Sequence, residues 1–326
     1  MKTLLSTTAL AALLLAACAP EAEEAPAVDT MGEEESAADT MMDGEGEAGA
    51  EMNEPMPEEP VSDEETASMD AAGSDMDAIL ADARRDGDRA RDEFRNPAET
   101  LAFFEVEPNH VVAEALPGGG WYSRVILPYV SENGGYYAIN YPMAVFEQLF
   151  SGMNDETRAR LAGWEESFPQ QAGEWGGEVD AAFRFGAVPA ELEGTADRVL
   201  YIRALHNLAR TGNLDVAASD AFALLKPGGV LGVVQHRAPA DETDERASGD
   251  RGYLREADVV AAMEAAGFVL EGSSDINANP NDTAAHEPGV WALPPTNAGD
   301  SEGQDVEPLQ SVGESDRMTL KFRKPE

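Results

Sequence analysis

The chain has 326 residues and is strongly acidic, with 63 Asp and Glu against 22 Lys and Arg and a formal net charge of −41 at pH 7. This charge argues against nucleic acid as a partner, because the phosphate backbone would be repelled. The single cysteine, Cys18, excludes an internal disulfide and any centre built from several cysteines.

Residues 1–18 have the pattern of an export signal. Lys2 precedes an apolar stretch from Ala9 to Ala17 that is too short for a membrane span, and small residues lead up to Cys18. The segment resembles a bacterial lipoprotein signal, which implies lipidation of Cys18, and Ala19 gives no signal for retention in the inner membrane. We therefore expect a lipid-anchored protein of the bacterial cell envelope, on the outer membrane and facing the periplasm. An ordinary secretory signal is the alternative.

Residues 19–75 are rich in Asp and Glu and contain no Lys, Arg or aromatic residue. Such a segment cannot build a core, so we expect a disordered tether between the lipid and the folded domain. Soft thioethers can bind Cu(I), which leaves a copper site open as an alternative to a passive tether. The methionines concerned are Met31, Met41, Met42, Met52, Met56 and Met69.

Residues 76–326 are long enough for one large domain. In chain order, the elements predicted for the first half begin with a charged helix or helix pair from Asp77 to Arg95, a helix from Ala98 to Phe104 and a strand from His110 to Leu116. The next elements are a helix from Trp121 to Val130, a strand from Tyr136 to Asn140, and a helix capped by Asn154 and running through Trp164. The second half predicts strands from Ala182 to Phe185, Asp197 to Arg203, Val230 to His236, Phe268 to Ser273 and Met318 to Phe322, with helices around Leu214 to Leu225 and Val259 to Ala266. Alternating strands and helices favour a parallel sheet with helices on both faces.

The most informative motif is V-V-A-E-A-L-P-G-G-G-W-Y at residues 111–122. It reads as a buried strand that ends in a carboxylate, followed by a glycine-rich turn that opens a helix. A turn without β-carbons lets the backbone approach a ligand, and the helix presents free N–H groups to it. The motif therefore predicts a nucleotide-cofactor site at the carboxyl edge of the sheet.

Several polar side chains follow strands that end at the same edge. Histidine titrates near neutral pH and suits a general base, although hydrogen bonding that caps a strand end is the structural alternative. The candidate catalytic residues are Tyr122, His206, Asn207 and His236. Arg203 could bind a substrate carboxylate or pair with Glu114. A metal site from both histidines with Asp275 or Asp282 is a further alternative.

Five segments in this order resemble the class I S-adenosylmethionine-dependent methyltransferases and, more narrowly, an often exported group of predicted methyltransferases. They are Arg95 to Glu99, Glu114 to Tyr122, Leu205 to Asn207, Leu225 to Gly229 and Asp316 to Pro325. The resemblance covers about Arg89 to Pro325. It implies a Rossmann-like, doubly wound α/β sheet of seven strands, mostly parallel, with an antiparallel C-terminal strand.

The same resemblance implies S-adenosylmethionine as cofactor. Gly118 and Gly120 match the second and third glycines of the family's loop, whereas Leu116 stands where the first would be. Asn140 stands where an Asp or Glu would usually hold the ribose hydroxyls. We assign cofactor binding to Glu114, Pro117, Gly118, Gly119, Gly120, Asn140 and Arg203.

The predicted activity is methyl transfer to a small-molecule or envelope acceptor. The acceptor would be recognised by the variable segments from Met143 to Glu178, with Trp164 and Trp175, and from Asn277 to Ser315. S-adenosylmethionine is made in the cytoplasm, so an exported enzyme needs an imported cofactor. Two alternatives follow: a non-catalytic binding module that keeps the methyltransferase fold, and a metal-handling envelope protein that uses the methionines of the tether and the surface histidines.

Overall fold

The structure is a computed structural model that describes residues 76–297 and 307–326. The predicted signal, the lipidation site Cys18 and the acidic tether lie outside these ranges and stay predictions. None of the helices in the two ranges is both long and apolar enough to cross a membrane.

A single seven-stranded sheet organises the domain. Its strands are β1 Val111–Ala115, β2 Gly135–Asn140, β3 Ala181–Arg184, β4 Ala196–Ile202, β5 Leu225–His236, β6 Val269–Ser274 and β7 Arg317–Arg323. Their order across the sheet is β3-β2-β1-β4-β5-β7-β6. The first five strands are parallel, and β7 runs antiparallel to both β5 and β6. The predicted α/β class, strand number and antiparallel last strand are confirmed.

Helices cover both faces of this sheet. They are α1 Asp92–Arg95, α2 Pro97–Phe103, α3 Ser123–Val130, α4 Met143–Leu149, α5 Asp155–Ala162, α6 Trp164–Gly173, α7 Leu205–Arg210, α8 Leu214–Leu224, α9 Glu256–Ala265 and α10 Glu307–Gln310. The core on one face includes buried residues of α4, α7, α8 and α9, and the core on the other includes buried residues of α2, α3 and α6. Successive residues of β1 alternate between them, with Val112 in the second core and Ala113 in the first.

The segment before α1 differs from the predicted helix or helix pair. It consists of a helical turn at residues 76–80, two 3-10 turns, Ala83–Arg85 and Arg89–Arg91, and then α1. The Asp82 carboxylate accepts the Arg84 N–H at 2.8 Å, which starts a new turn in the middle of the predicted helix. Arg85 is fully buried and donates to Asp92, so side-chain contacts override the helical pattern.

The fifth strand also begins earlier than predicted. Leu225 already pairs with Ala196 of β4, and the next pairing joins Arg198 to Val230. Residues 226–229 therefore bulge out of the ladder, with Gly228 at a φ of 75°. The strand was predicted from Val230, and it begins at Leu225 because pairing with β4 continues on both sides of the bulge.

The strand order creates a crevice beside β1. The chain runs outward from β1 through β2 to β3, and then returns to place β4 on the other side of β1. The connections after β1 and β4 therefore leave in opposite directions. Open α/β sheets bind ligands at such a point, outside the carboxyl ends of the strands. Residues 116–122 follow β1 there, and residues 203–207 follow β4.

Candidate functional site

The turn after β1 takes the left-handed backbone that a glycine loop requires. Leu116, Gly118 and Gly120 have φ of 54°, 55° and 83°. A left-handed conformation costs a residue with a β-carbon about 1 to 2 kcal/mol. Leu116 accepts this strain while its N–H donates to Ile139 O at 2.7 Å and its side chain packs on the core. Leu116 thus takes a left-handed backbone conformation that favours glycine.

Two glycines of this turn face open space. A β-carbon built on Gly119 would meet nothing within 4 Å, and one on Gly118 would meet only Leu116 O at 3.7 Å. Both residues are exposed, and their N–H groups make no backbone hydrogen bond within the part of the chain that the structure describes. This free surface is what a ligand that approaches the backbone would need. Pro117 beside them is buried, and its carbonyl accepts the Gly120 N–H.

Gly120 has a different environment, because Trp175 lies directly against it. A β-carbon on Gly120 would lie 2.6 Å from the indole ring. Trp175 is also edge-on to Phe168 and lies beneath the guanidinium of Arg124. The sequence placed Trp175 in a segment for acceptor recognition, but the structure shows it packed on Gly120, in the turn after β1.

Glu114 links β1 to β2 and α3. It is 3% exposed, and its carboxylate accepts the hydroxyls of Ser123 at 2.8 Å and Tyr136 at 2.6 Å. Burial raises the pKa of Glu114 to about 7, although the two hydroxyl donors oppose the shift. Of the two alternatives for Arg203, the pairing with Glu114 does not form, because Ser123 and Tyr136 occupy this carboxylate.

Asn140 ends β2, as predicted, and is buried. Its Oδ1 accepts the N–H of Tyr141 at 2.8 Å, and the Tyr141 hydroxyl donates to Ala204 O beyond β4. The Asn140 amide oxygen is therefore partly used inside the protein. Its NH₂ group is the part suited to donating to a ribose hydroxyl.

The two candidate histidines come together at the ends of β4 and β5. The ring centroids of His206 and His236 lie 5.6 Å apart, and Trp291 lies edge-on to His206 at 6.0 Å. His236 Nδ1 hydrogen bonds to Ser315 Oγ at 2.5 Å, whereas His206 Nδ1 is buried without a partner in the described residues. Asn207 Oδ1 is also buried and has no hydrogen-bond partner among the described residues.

The protonation of these groups differs from the expectation. Burial, with Arg210, lowers the pKa of His206 to about 3, and burial, with His206 and Arg203, lowers the pKa of His236 well below its usual value. The premise that they titrate near neutral pH was wrong for the free protein. Burial also raises the pKa of Tyr122, whose hydroxyl donates to Arg95 O at 2.9 Å.

Arg203 lies beside two arginines that the prediction of site residues missed. Arg95 and Arg317 are 1% and 2% exposed and share the buried carboxylate of Glu314. Burial, followed by Arg95, lowers the pKa of Arg203 to about 9. The sequence did contain a signal for these two arginines, because Arg95 and Arg317 both lie in segments that carry the methyltransferase resemblance. No local sequence pattern, however, shows that their side chains meet.

The metal alternative finds no support at the histidines. The described ranges contain no group of three or more His, Cys, Asp or Glu side chains arranged to hold a metal. Asp282 accepts hydrogen bonds from Tyr253, Ala284 and Asp316, and Asp275 lies 3.7 Å from Arg237. The Asp282 carboxylate is thus engaged within the fold, whereas Asp275 is exposed beside Arg237.

Comparisons with known proteins give matches to solved structures alone. No family model matches the chain, and no curated protein matches it. A SAM-dependent methyltransferase from Aquifex aeolicus is 16% identical, covering 77% of this chain and 98% of its own, with a TM-score of 0.44. The N-methyltransferase NodS from Bradyrhizobium japonicum WM9, bound to S-adenosylhomocysteine, is 14% identical, covering 78% and 99%, with a TM-score of 0.40.

A third solved structure is the 1,6-didemethyltoxoflavin-N1-methyltransferase from Burkholderia thailandensis. It is 16% identical, covers 83% of this chain and 94% of its own, and has a TM-score of 0.39. At these values the likenesses carry no argument about activity, acceptor or partner. The function has to be argued from the residues of this chain.

Proposed function

We propose that this chain is an S-adenosylmethionine-dependent methyltransferase that acts on a small-molecule or envelope acceptor. The observation that carries the proposal is the open turn at Gly118 and Gly119, which lies where the strand order reverses. The five sequence segments that resemble the class I enzymes support the choice of cofactor. A β-carbon on Gly119 would meet no other atom within 4 Å, and the Arg124 guanidinium reaches this residue only at its carbonyl oxygen, to which it donates at 2.8 Å.

The residues around the turn fit such a cofactor. Gly118 and Gly119 would let the backbone lie against it, with their unbonded N–H groups available as donors. Asn140 would donate its NH₂ group to a ribose hydroxyl, because its oxygen already accepts the Tyr141 N–H. When bound, S-adenosylmethionine supplies a methyl group on a sulfonium. The chain would then align the acceptor at the ends of β4 and β5 and exclude water.

In the free protein, the two histidines are poorly suited to removing a proton from the acceptor. With the pKa of His206 at about 3 and that of His236 also well lowered, neither imidazole is a strong base. This observation favours a second candidate, a binding module that keeps the pocket without turnover. Turnover requires either an acceptor that needs no deprotonation or a bound group that raises the pKa of a histidine.

We also propose that lipid on Cys18 anchors the protein in the cell envelope, with residues 19–75 as a tether. The support is the sequence pattern around Cys18 and the acidic composition of the tether. An active enzyme in this place requires S-adenosylmethionine outside the cytoplasm. A small-molecule or envelope acceptor suits the position, because a domain joined to the membrane by the proposed tether could reach both.

The cofactor site is tested by replacing Gly119 with leucine. Gly119 has no left-handed φ and free space around it, so the leucine fills the ligand's place without disturbing the fold. We expect the full chain in detergent to bind S-adenosylhomocysteine in calorimetric titration, and Gly119→Leu to weaken binding at least about tenfold, or 1.4 kcal/mol.

Gly152→Leu is the matched control, because Gly152 is also exposed, with nothing within 4 Å of an added β-carbon. It should bind like the unchanged protein. Equal binding by the Gly119→Leu variant would overturn the proposed site. Binding without production of S-adenosylhomocysteine from S-adenosylmethionine, in the presence of envelope extract, would favour the binding module.

A further inference from the structure

Three arginines from distant parts of the chain converge beside the two histidines. Arg95 ends α1, Arg203 follows β4 with a φ of 57°, and Arg317 begins β7. Burial and then the positive charge of Arg95 lower the pKa of Arg203, and Arg317 acts in the same direction. The guanidinium of Arg95 is held 4.7 Å above the ring of Trp121. We call Arg95, Arg203 and Arg317 the arginine cluster.

The arginine cluster has more positive charge than its carboxylate neutralises. Glu314 is 3% exposed and pairs with Arg95 at 2.8 Å and with Arg317 at 3.0 Å. Burial would raise the pKa of Glu314, but the arginines hold it below its usual value, so this carboxylate is ionised. Arg203 forms no ion pair with any residue that the structure describes. Among the described residues, two of the three guanidinium groups thus share the Glu314 carboxylate and the third has no ion-pair partner.

Neighbouring titratable side chains do not neutralise this excess positive charge. His236 is neutral at pH 7 because burial, His206 and the arginines lower its pKa, and His206 is neutral for a similar reason. Burial keeps the phenol of Tyr122 protonated. Buried charge without a counter-charge is costly, so the site favours an added anion.

Unused hydrogen-bond positions lie in the same place. Arg95 Nη1, Arg203 Nε and His206 Nδ1 are all buried and have no hydrogen-bond partner within the described ranges. Buried polar atoms are normally satisfied, and charged donors bind oxyanions most strongly. The planar guanidinium matches the geometry of carboxylate and phosphate oxygens. Excess charge and free donors therefore both indicate a missing oxyanion.

We propose that the arginine cluster binds an oxyanion group, a carboxylate or a phosphate, of the methyl acceptor. The inference rests on the proposed function, and it names the chemical class of the substrate. The cluster lies at the ends of β4 and β5 and the start of β7, whereas the open glycine turn and Asn140 follow β1 and β2. Cofactor and acceptor anion would thus bind on opposite sides of the switch point.

Anion binding here also changes the chemistry of the histidines. His236 faces His206 and the arginine cluster, and its Nδ1 contacts Ser315. An anion among the arginines offsets the positive charges that now disfavour protonation of His236, so its pKa rises. The acceptor's own charge would then restore a base near the reacting atom.

The test uses inorganic phosphate and malonate as probes on the full chain in detergent. The chain has four histidines, so their ring signals can be assigned in NMR titrations. We expect at least one probe to bind and to raise the apparent pKa of His206 and His236 by about one unit or more. Phosphate and malonate separate the two oxyanion classes. The proposal would be overturned if neither phosphate nor malonate bound, or if neither probe raised the apparent pKa of His206 or His236.

The methyltransferase resemblance assigned Arg203 to the cofactor, whereas the proposal assigns it to the acceptor anion. Arg203→Met should therefore weaken probe binding at least tenfold and leave the affinity for S-adenosylhomocysteine within threefold. Arg237→Met is the matched control, because Arg237 adjoins His236 but is neutralised by Asp316 at 2.8 Å; it should keep probe binding. If S-adenosylhomocysteine binding falls with Arg203→Met and phosphate competes with it, the cluster holds the cofactor's carboxylate and the proposal is wrong. Probe binding without S-adenosylhomocysteine binding would overturn the proposed function and leave an oxyanion site.

Discussion

Glu114 is a carboxyl group buried between two strands and a helix, with hydroxyl donors from Ser123 and Tyr136. Burial disfavours its ionised form more than the two hydrogen bonds favour it, so its pKa is raised to about 7. At neutral pH this residue is near its midpoint. Its charge state therefore links the stability of the β1 end to pH.

We predict that Glu114 makes the protein less stable as the pH rises from 4.5 to 7. In this window the folded state binds more protons than the unfolded state, so ionisation favours unfolding. Relative to the unchanged protein, Glu114→Gln should gain up to about 3 kcal/mol between pH 4.5 and 8. Urea unfolding of both proteins across this range measures the difference, and a constant difference would contradict the raised pKa.

The positions of the candidate site residues could be predicted from the sequence, but their ionisation could not. The strand ends correctly place Glu114, Asn140, His206 and His236 at one edge, because strand position follows from local apolar runs. Their ionisation was beyond the sequence, since it depends on burial and on arginines remote in the chain. The arginine cluster was missed for the same reason: Arg95 and Arg317 are separated by most of the domain.

At the scale of elements, the turn between β1 and α3 combines an open part and a packed part. Gly118 and Gly119 face free space, whereas Gly120 lies under the ring of Trp175. Gly120 has both a left-handed φ and a close contact, so it needs glycine for two reasons. The turn can therefore offer a ligand surface while being held from behind.

The packed and open parts of the turn predict different effects of alanine substitution on stability. Gly120→Ala should lose at least about 2 kcal/mol of stability, because the new methyl group meets Trp175 and the backbone is left-handed. Gly119→Ala should change stability by less than about 1 kcal/mol. Thermal or urea unfolding compares the two variants. Similar losses in both would mean that the turn is packed throughout.

Element prediction succeeded where apolar patterns are strong and failed where side chains intervene. Each predicted strand forms, and the side chain of Asn154 accepts the Thr157 N–H at 2.8 Å as the predicted cap of α5. The segment before α1 was predicted as one helix or two, but the Asp82 contact and the buried Arg85 divide it. Such contacts depend on the finished domain, which the local pattern does not contain.

At the scale of the whole molecule, the fold brings β1, β2, β4, β5 and β7 to one edge, where the turn, the histidines and the arginine cluster lie. The net charge of −41 makes this small positive cluster distinctive. A chain of this net charge repels a free oxyanion at long range. Salt that screens the surface should therefore speed association of a charged acceptor.

The proposed anchoring gives a whole-molecule prediction. Replacing Cys18 with alanine removes the proposed lipid attachment site, so the protein should move from the membrane fraction to the soluble fraction of the cell envelope. Fractionation followed by immunoblotting measures the distribution. Unchanged membrane association of the Cys18→Ala variant would contradict a lipid anchor at this residue.

The most direct test of the cofactor site is a crystal structure of the protein with S-adenosylhomocysteine. We predict that the ligand lies against the backbone of Gly118 and Gly119, with a ribose hydroxyl near the NH₂ group of Asn140 and the arginine cluster left free. Density for the ligand elsewhere, with this turn uncovered, would contradict the proposed cofactor site. Density for its carboxylate among the arginines would keep that site and overturn the assignment of the cluster to the acceptor.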